Sequence, residues 1–154
     1  MKVTCAQAEY DEDIEIKKLK VFISIPMNGK SKSEIEDAYH KEWKKVRDFI
    51  SEKGYKGKIV RDIEIFNGYV ELEENSNVRN SALNYLGASL QKLAEADVLW
   101  MGNGWTDSRG CKLERKCAAQ YGMDVLDGTT LRKVFQDFSQ ALDRKLTVDK
   151  EELI

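Results

Sequence analysis

The sequence is poor in the residues that staple or punctuate a chain: one proline, one histidine and three cysteines among 154 residues. An odd cysteine count (Cys5, Cys111 and Cys117), with no export signal ahead of it, argues for free thiols rather than a disulfide framework. Cys111 and Cys117 stand too far apart along and around a helix to share a metal, and His40 alone completes no zinc set. No metal and no cofactor is expected. No apolar run approaches the ~20 residues of a membrane span, and no secretory pattern opens the chain. A cytoplasmic protein without membrane contact is the expectation. Neither charge sign dominates, since 25 basic residues face 27 acidic ones for a net charge of −2. No global field therefore draws the chain to a nucleic acid polymer or an anionic bilayer. Also missing are a Walker A loop, a G-x-G-x-x-G turn, internal repeats and low-complexity linkers.

What is present suits one globular domain. The apolar share is 42%, and a chain this long buries roughly 70% of its unfolded surface. Strand and helix patterns alternate throughout, which predicts an α/β fold: an open parallel sheet of Rossmann or flavodoxin type with helices on both faces. Residues 1–19 read as an N-terminal extension or edge strand, with Val3–Ala6 as its strand and Asp11–Asp13 as an acidic turn. Residues 20–145 form the domain, and 146–154 a charged tail.

Leu19 to Ile25 is a dense β-branched and aromatic run, hence a central strand. Ser33 with Glu36 predicts a capping box for the first helix. Ile35, Tyr39, Trp43, Val46 and Ile50 form its buried stripe, and Gly54 ends it. Lys58–Phe66 makes a second strand. Residues 67–80 are long, polar and patternless, as in a lid or a subunit contact, and they motivate an expected homo-oligomer. A helix follows from about Ser81 with Leu83, Leu86, Leu90 and Leu93 buried. Met123–Leu126 is another strand, and a last amphipathic helix carries Leu131, Val134, Phe135, Phe138 and Leu142.

The rest is organised around residues 97–122, read as buried strand (Val98–Met101), glycine-containing turn, and helix capped by Asp107 or Ser108 and closed by Gly122. In an open α/β sheet ligands bind beyond the carboxyl ends of the strands. That places Asn103–Gly110 at the mouth of any site. Glu114 lies about a turn and a half into the helix, on one face with Gly110 and Ala118. A carboxylate flanked by small residues there can meet a substrate, or it can be an exposed glutamate pairing with Arg115 or Lys116. The loop Met27-Asn28-Gly29-Lys30 ends the first strand at the same edge and offers backbone donors and a lysine to a phosphate, or serves as a plain turn. Ser108 is a helix cap, a binder of a sugar 5′-oxygen or 5′-phosphate, or both, with Arg109 adding charge. Trp105 stacks on a base or packs on the surface. Asp97, at the far end of its strand, reads as structural, and His40 as an exposed helix residue.

Four pieces taken in order, Val21–Gly29, Leu93–Val98, Gly104-Trp105 and Ser108-Arg109-Gly110 with Glu114, resemble the nucleoside 2-deoxyribosyltransferase superfamily, most closely its DUF4406 branch. The resemblance spans roughly residues 20–127. It implies a Rossmann-like domain that cleaves or transfers N-glycosidic bonds of a nucleoside or nucleoside 5′-monophosphate, with Glu114 as nucleophile. It also implies sites completed across subunits. The family's second carboxylate falls eight residues ahead of Asp97, where this chain has Ser89. Asp62, Glu64 or Asp107 are the acids left to replace it. Two further classes stay open: a nucleotide-sensing module without turnover, and a protein-interaction factor on the same scaffold.

Overall fold

A computed structural model of the chain describes residues 15–130. In chain order its elements are β1 (Glu15–Ile16), β2 (Leu19–Ser24), α1 (Lys32–Lys53), β3 (Ile59–Val60), β4 (Ile63–Asn67), α2 (Ser81–Leu93), β5 (Val98–Met101), α3 (Arg109–Gln120) and β6 (Asp124–Asp127). The expectations for Val3–Ala6, Asp11–Asp13, Cys5, the helix from Leu131 and the charged tail lie outside the described residues.

The main sheet runs β4-β2-β5-β6 and every pairing in it is parallel. Crossovers of one hand put a helix on one face when the chain steps one way and on the other face when it steps back. The step from β2 to β4 carries α1. The return to β5 and the next step to β6 carry α2 and α3. Leu19, Val21, Ile23, Ile25, Val98 and Trp100 pack with Ile35, Val46 and Ile50 of α1. Phe22, Leu99 and Met101 point the other way, onto Leu93, Cys111 and Ala118. Covered on both faces, β2 and β5 are apolar at successive positions over Val21–Ile23 and Val98–Met101. The reversal of direction falls between these two strands, so the crevice beyond Ser24 and Met101, which are register partners, is the ligand-binding edge of such a sheet.

Several local expectations change. Two S-x-x-E pairs compete to start α1, and the earlier one wins: Ser31 Oγ accepts from Glu34 N and Glu34 Oε1 from Ser31 N. The expected strand at 58–66 is broken at Arg61-Asp62. Its first part pairs with β1 and its second with β2, because Leu19 N bonds Asp62 O and Arg61 N bonds Ile16 O at the switch between the two sheets. Leu93 is buried and Leu90 partly so, but Leu83 is 62% exposed. Residues 81–85, the start of α2, are all exposed. Residues 68–80 carry no helix or strand, and Asn80 caps α2 through Leu83 N.

Candidate functional site

Cys111, Glu114 and Ala118 recur at three- and four-residue spacing along α3, and this is the stripe that faces the sheet. Glu114 is therefore 8% exposed rather than a surface residue. Arg115, a possible surface partner, instead stacks its guanidinium over the Trp105 ring at 5.2 Å. Around the Glu114 carboxyl stand the hydroxyls of Ser24, at the end of β2, and Ser89, on α2. Both lie near enough to favour the ionised form, yet neither Glu114 Oε2 nor Ser24 Oγ has a hydrogen-bond partner. Burial outweighs the two hydroxyls and raises the Glu114 pKa from 4.5 to about 7. Cys111 sits in the same cluster, between Ser24 and Ser108, with its thiol pushed up by burial.

Ser89 is thus brought beside Glu114, and Gly68 makes room for it, because a Cβ there would collide with Ser89 Oγ. Ser108 caps α3, its Oγ accepting from Cys111 N at 3.3 Å, so it is one residue removed from the cluster. Gly110 leaves open space, with Ser108 Oγ at 4.0 Å from where its side chain would start. Arg109, Asp107, Asn28 and Gly29 are exposed at the same edge, and Met27 is half-buried on the α1 side. The turn before α1 is closed by Lys30 N to Met27 O, with Gly29 at φ +74°. Trp105 is fixed at its rim: Nε1 donates to Asp127 Oδ2 at 3.1 Å while Arg115 occupies one side of the ring.

Among the substitute acids, Asp62 precedes β4 and Glu64 is held near its start by Lys20 at 3.5 Å, so both lie at the amino edge. Only Asp107 belongs to the mouth. Asp97 is at the amino edge too, where Oδ2 accepts from Lys20 N at 2.9 Å and locks the β2–β5 register. A cavity of about 390 Å³ opens at that edge, lined by Lys18, Tyr55, Lys56, Asp97 and Asp124 among others. Several of its polar groups are tied to neighbours, Lys56 to Asp124 at 2.7 Å and Tyr55 also to Asp124. At the other end, the carboxyl edge, two buried carboxylates each keep an oxygen with no hydrogen-bond partner, Glu42 Oε2 and Glu114 Oε2.

Three contributors escape the sequence reading. Ser24 is polar within an apolar strand and shares its face with Phe22, a signal that alternation could have supplied. Glu42 lies seven residues after Ile35 and four before Val46, on the buried stripe of α1, and is 2% exposed. Its Oε1 accepts from Asn103 N at 3.3 Å and from Lys45 Nζ at 3.1 Å. Asp127 anchors Trp105 and the amides of Thr129 and Thr130 from a position no motif marks.

Among the described residues no cluster of His, Cys, Asp and Glu is placed to hold a metal ion, and no helix is long and apolar enough to cross a membrane. No curated protein and no solved structure matches the chain. The family model described as a domain of unknown function, DUF4406, matches residues 19–127, the span that contains the whole sheet β2–β6 and both buried carboxylates, and the chain belongs to that family.

Proposed function

We propose that the protein cleaves or transfers the N-glycosidic bond of a nucleoside or nucleoside 5′-monophosphate, with Glu114 as the nucleophile. One observation carries this reading: a carboxylate buried at the carboxyl edge of the two central strands, with one oxygen unpartnered. An unsatisfied buried carboxylate is a standing cost to the fold, and a bound ligand or a reaction at the site offsets it. The resemblance to nucleoside 2-deoxyribosyltransferases supplies the reaction class. In the ionised form Glu114 attacks the anomeric carbon as the bond to the base nitrogen breaks. The bonding pair leaves with the base, which takes up a proton, and a glycosyl ester remains on Glu114. Water or a second base then displaces the carboxylate. Ser108 and the first amides of α3 would receive the sugar 5′-oxygen or 5′-phosphate, with Arg109 adding charge and Asn28-Gly29 and Trp105 framing the opening.

The test is a panel of nucleosides and 5′-monophosphates read by chromatography for free base. Release is expected from at least one substrate, with kcat/KM rising tenfold per pH unit up to about 7 and level above, as Glu114 ionises. No release from any member of the panel sinks the catalytic reading. Ser89 in place of a second carboxylate favours one alternative, a sensing module that binds without turnover. Ligands that raise the melting temperature without losing their base would establish it.

We also propose a homo-oligomer in the cytoplasm. Leu83 at 62%, Tyr85 at 46% and Leu113 at 38% exposure all lie on the two helices of the Glu114 face, and a second copy would cover them. Sedimentation should show at least a dimer at micromolar concentration; a monomer at high micromolar concentration overturns this.

A further inference from the structure

We propose that Glu42 is a second ligand-binding carboxylate of the crevice, whose Oε2 accepts a hydrogen bond from a hydroxyl or amino group of the bound nucleoside or nucleotide. The assignment rests on the reading of the site given above. Glu42 reaches the edge from α1, on the sheet face opposite Glu114, and the two acids flank the ends of β2 and β5. Its stem packs where Gly102 has no side chain, a Cβ there lying 3.0 Å from Glu42 Cγ and 3.1 Å from Ser24 O. Ser24 O accepts from Gly102 N at 2.8 Å, and its hydroxyl stands beside Glu114.

The two oxygens of Glu42 have separate fates. Oε1 takes Asn103 N–H and Lys45 Nζ, which holds the start of the 102–108 loop against α1. Oε2 is fully buried and takes nothing. Packing alone calls for an apolar residue at this point of the stripe, which would fill the same volume without stranding an oxygen. Holding one amide needs one acceptor. The second acceptor is accounted for by a donor that arrives with the ligand, at the edge where ligands of such sheets bind. Sugar hydroxyls and exocyclic amines are the donors a nucleoside brings.

Glu42→Gln separates the two oxygens. Two donors converge on the Oε1 position, so they hold the amide oxygen there and turn the NH2 group to the Oε2 position. The loop stays held, while an acceptor facing the ligand becomes a donor. Calorimetric titration with the 5′-monophosphates of adenosine, guanosine, cytidine and uridine and of their 2′-deoxy counterparts should show Kd weakened roughly 10- to 100-fold in Glu42→Gln. The free variant should melt close to wild type, and Glu42→Met, which removes both oxygens, should lose binding as well. Equal binding by wild type and Glu42→Gln overturns the assignment and leaves Glu42 as a loop anchor only. If the wild type binds none of the nucleotides, the reading of the site fails first and this assignment with it. Should Glu42→Gln not fold, the wild-type Glu42 carboxyl 13C resonance decides: a shift on saturation with the tightest nucleotide supports the contact, and an unmoved resonance overturns it.

Discussion

Glu114→Gln should reduce base release by at least about 10²–10³-fold, the effect of removing one preorganised electrostatic partner of a transition state, and by more for a true nucleophile. The same substitution should make the protein more stable above pH 7. The folded pKa of Glu114 is about 7 against an ordinary 4.5, so between these values the native state holds a proton that the unfolded chain has released. Stability from this group is therefore full below about 4.5, falls as pH rises through the window, and is lost above about 7. A displacement of this size corresponds to about 3 kcal/mol. Glutamine does not titrate, so urea unfolding of wild type and variant should diverge from pH 5 upward and run parallel above pH 8. A pH-independent difference would mean that Glu114 ionises as freely in the fold as outside it. Full activity in the variant would remove the nucleophile from the mechanism.

Burial of a charge by residues from several elements leaves less trace in a sequence than a buried sheet does. Apolar runs such as Val21–Ile23 and Val98–Met101 announce strands covered on both faces, and the alternation of elements leaves few ways to order them. The position of Glu114 follows from the stripe Cys111–Glu114–Ala118. Its environment does not, because Ser24, Ser89 and Cys111 come from three separate elements and meet only once β2, α2 and α3 are packed. Glu42 was hidden by its neighbour: Trp43 is the larger apolar candidate for the same turn, and propensity prefers it. The structure puts the carboxylate at 2% exposure and leaves Trp43 half-buried. Leu83 fails in the opposite sense, since a leucine at helical spacing predicts a core and the start of α2 is exposed. Burial of charge and exposure of leucine are the two signatures that periodicity cannot carry. Here both fall on elements that border the proposed site.

Ser89→Asp is the complementary experiment, because it adds the group the resemblance leads one to expect at this place. Ser89 is 9% exposed and already stands beside Glu114. A second carboxyl in that desolvated space cannot ionise freely next to the first, so the pair should hold one proton between them through neutrality. One carboxylate and one carboxylic acid is the division of labour that glycosyl transfer uses, the first meeting the anomeric carbon and the second protonating the departing base. Base release should rise by roughly 10²-fold, and its pH profile should change from a plateau to a bell as the added acid is lost at high pH. The variant should also be less stable above neutrality, because Gly68 leaves little slack around position 89 and two charges there repel. If Ser89→Asp instead slows a wild type that already turns over well, the proton comes from elsewhere, and Asp107 is the one acid considered for the role that lies at the mouth. Neither protein releasing base while nucleotides still raise both melting temperatures would place the chain among binding modules, with Glu114 and Ser89 holding a ligand they do not cut.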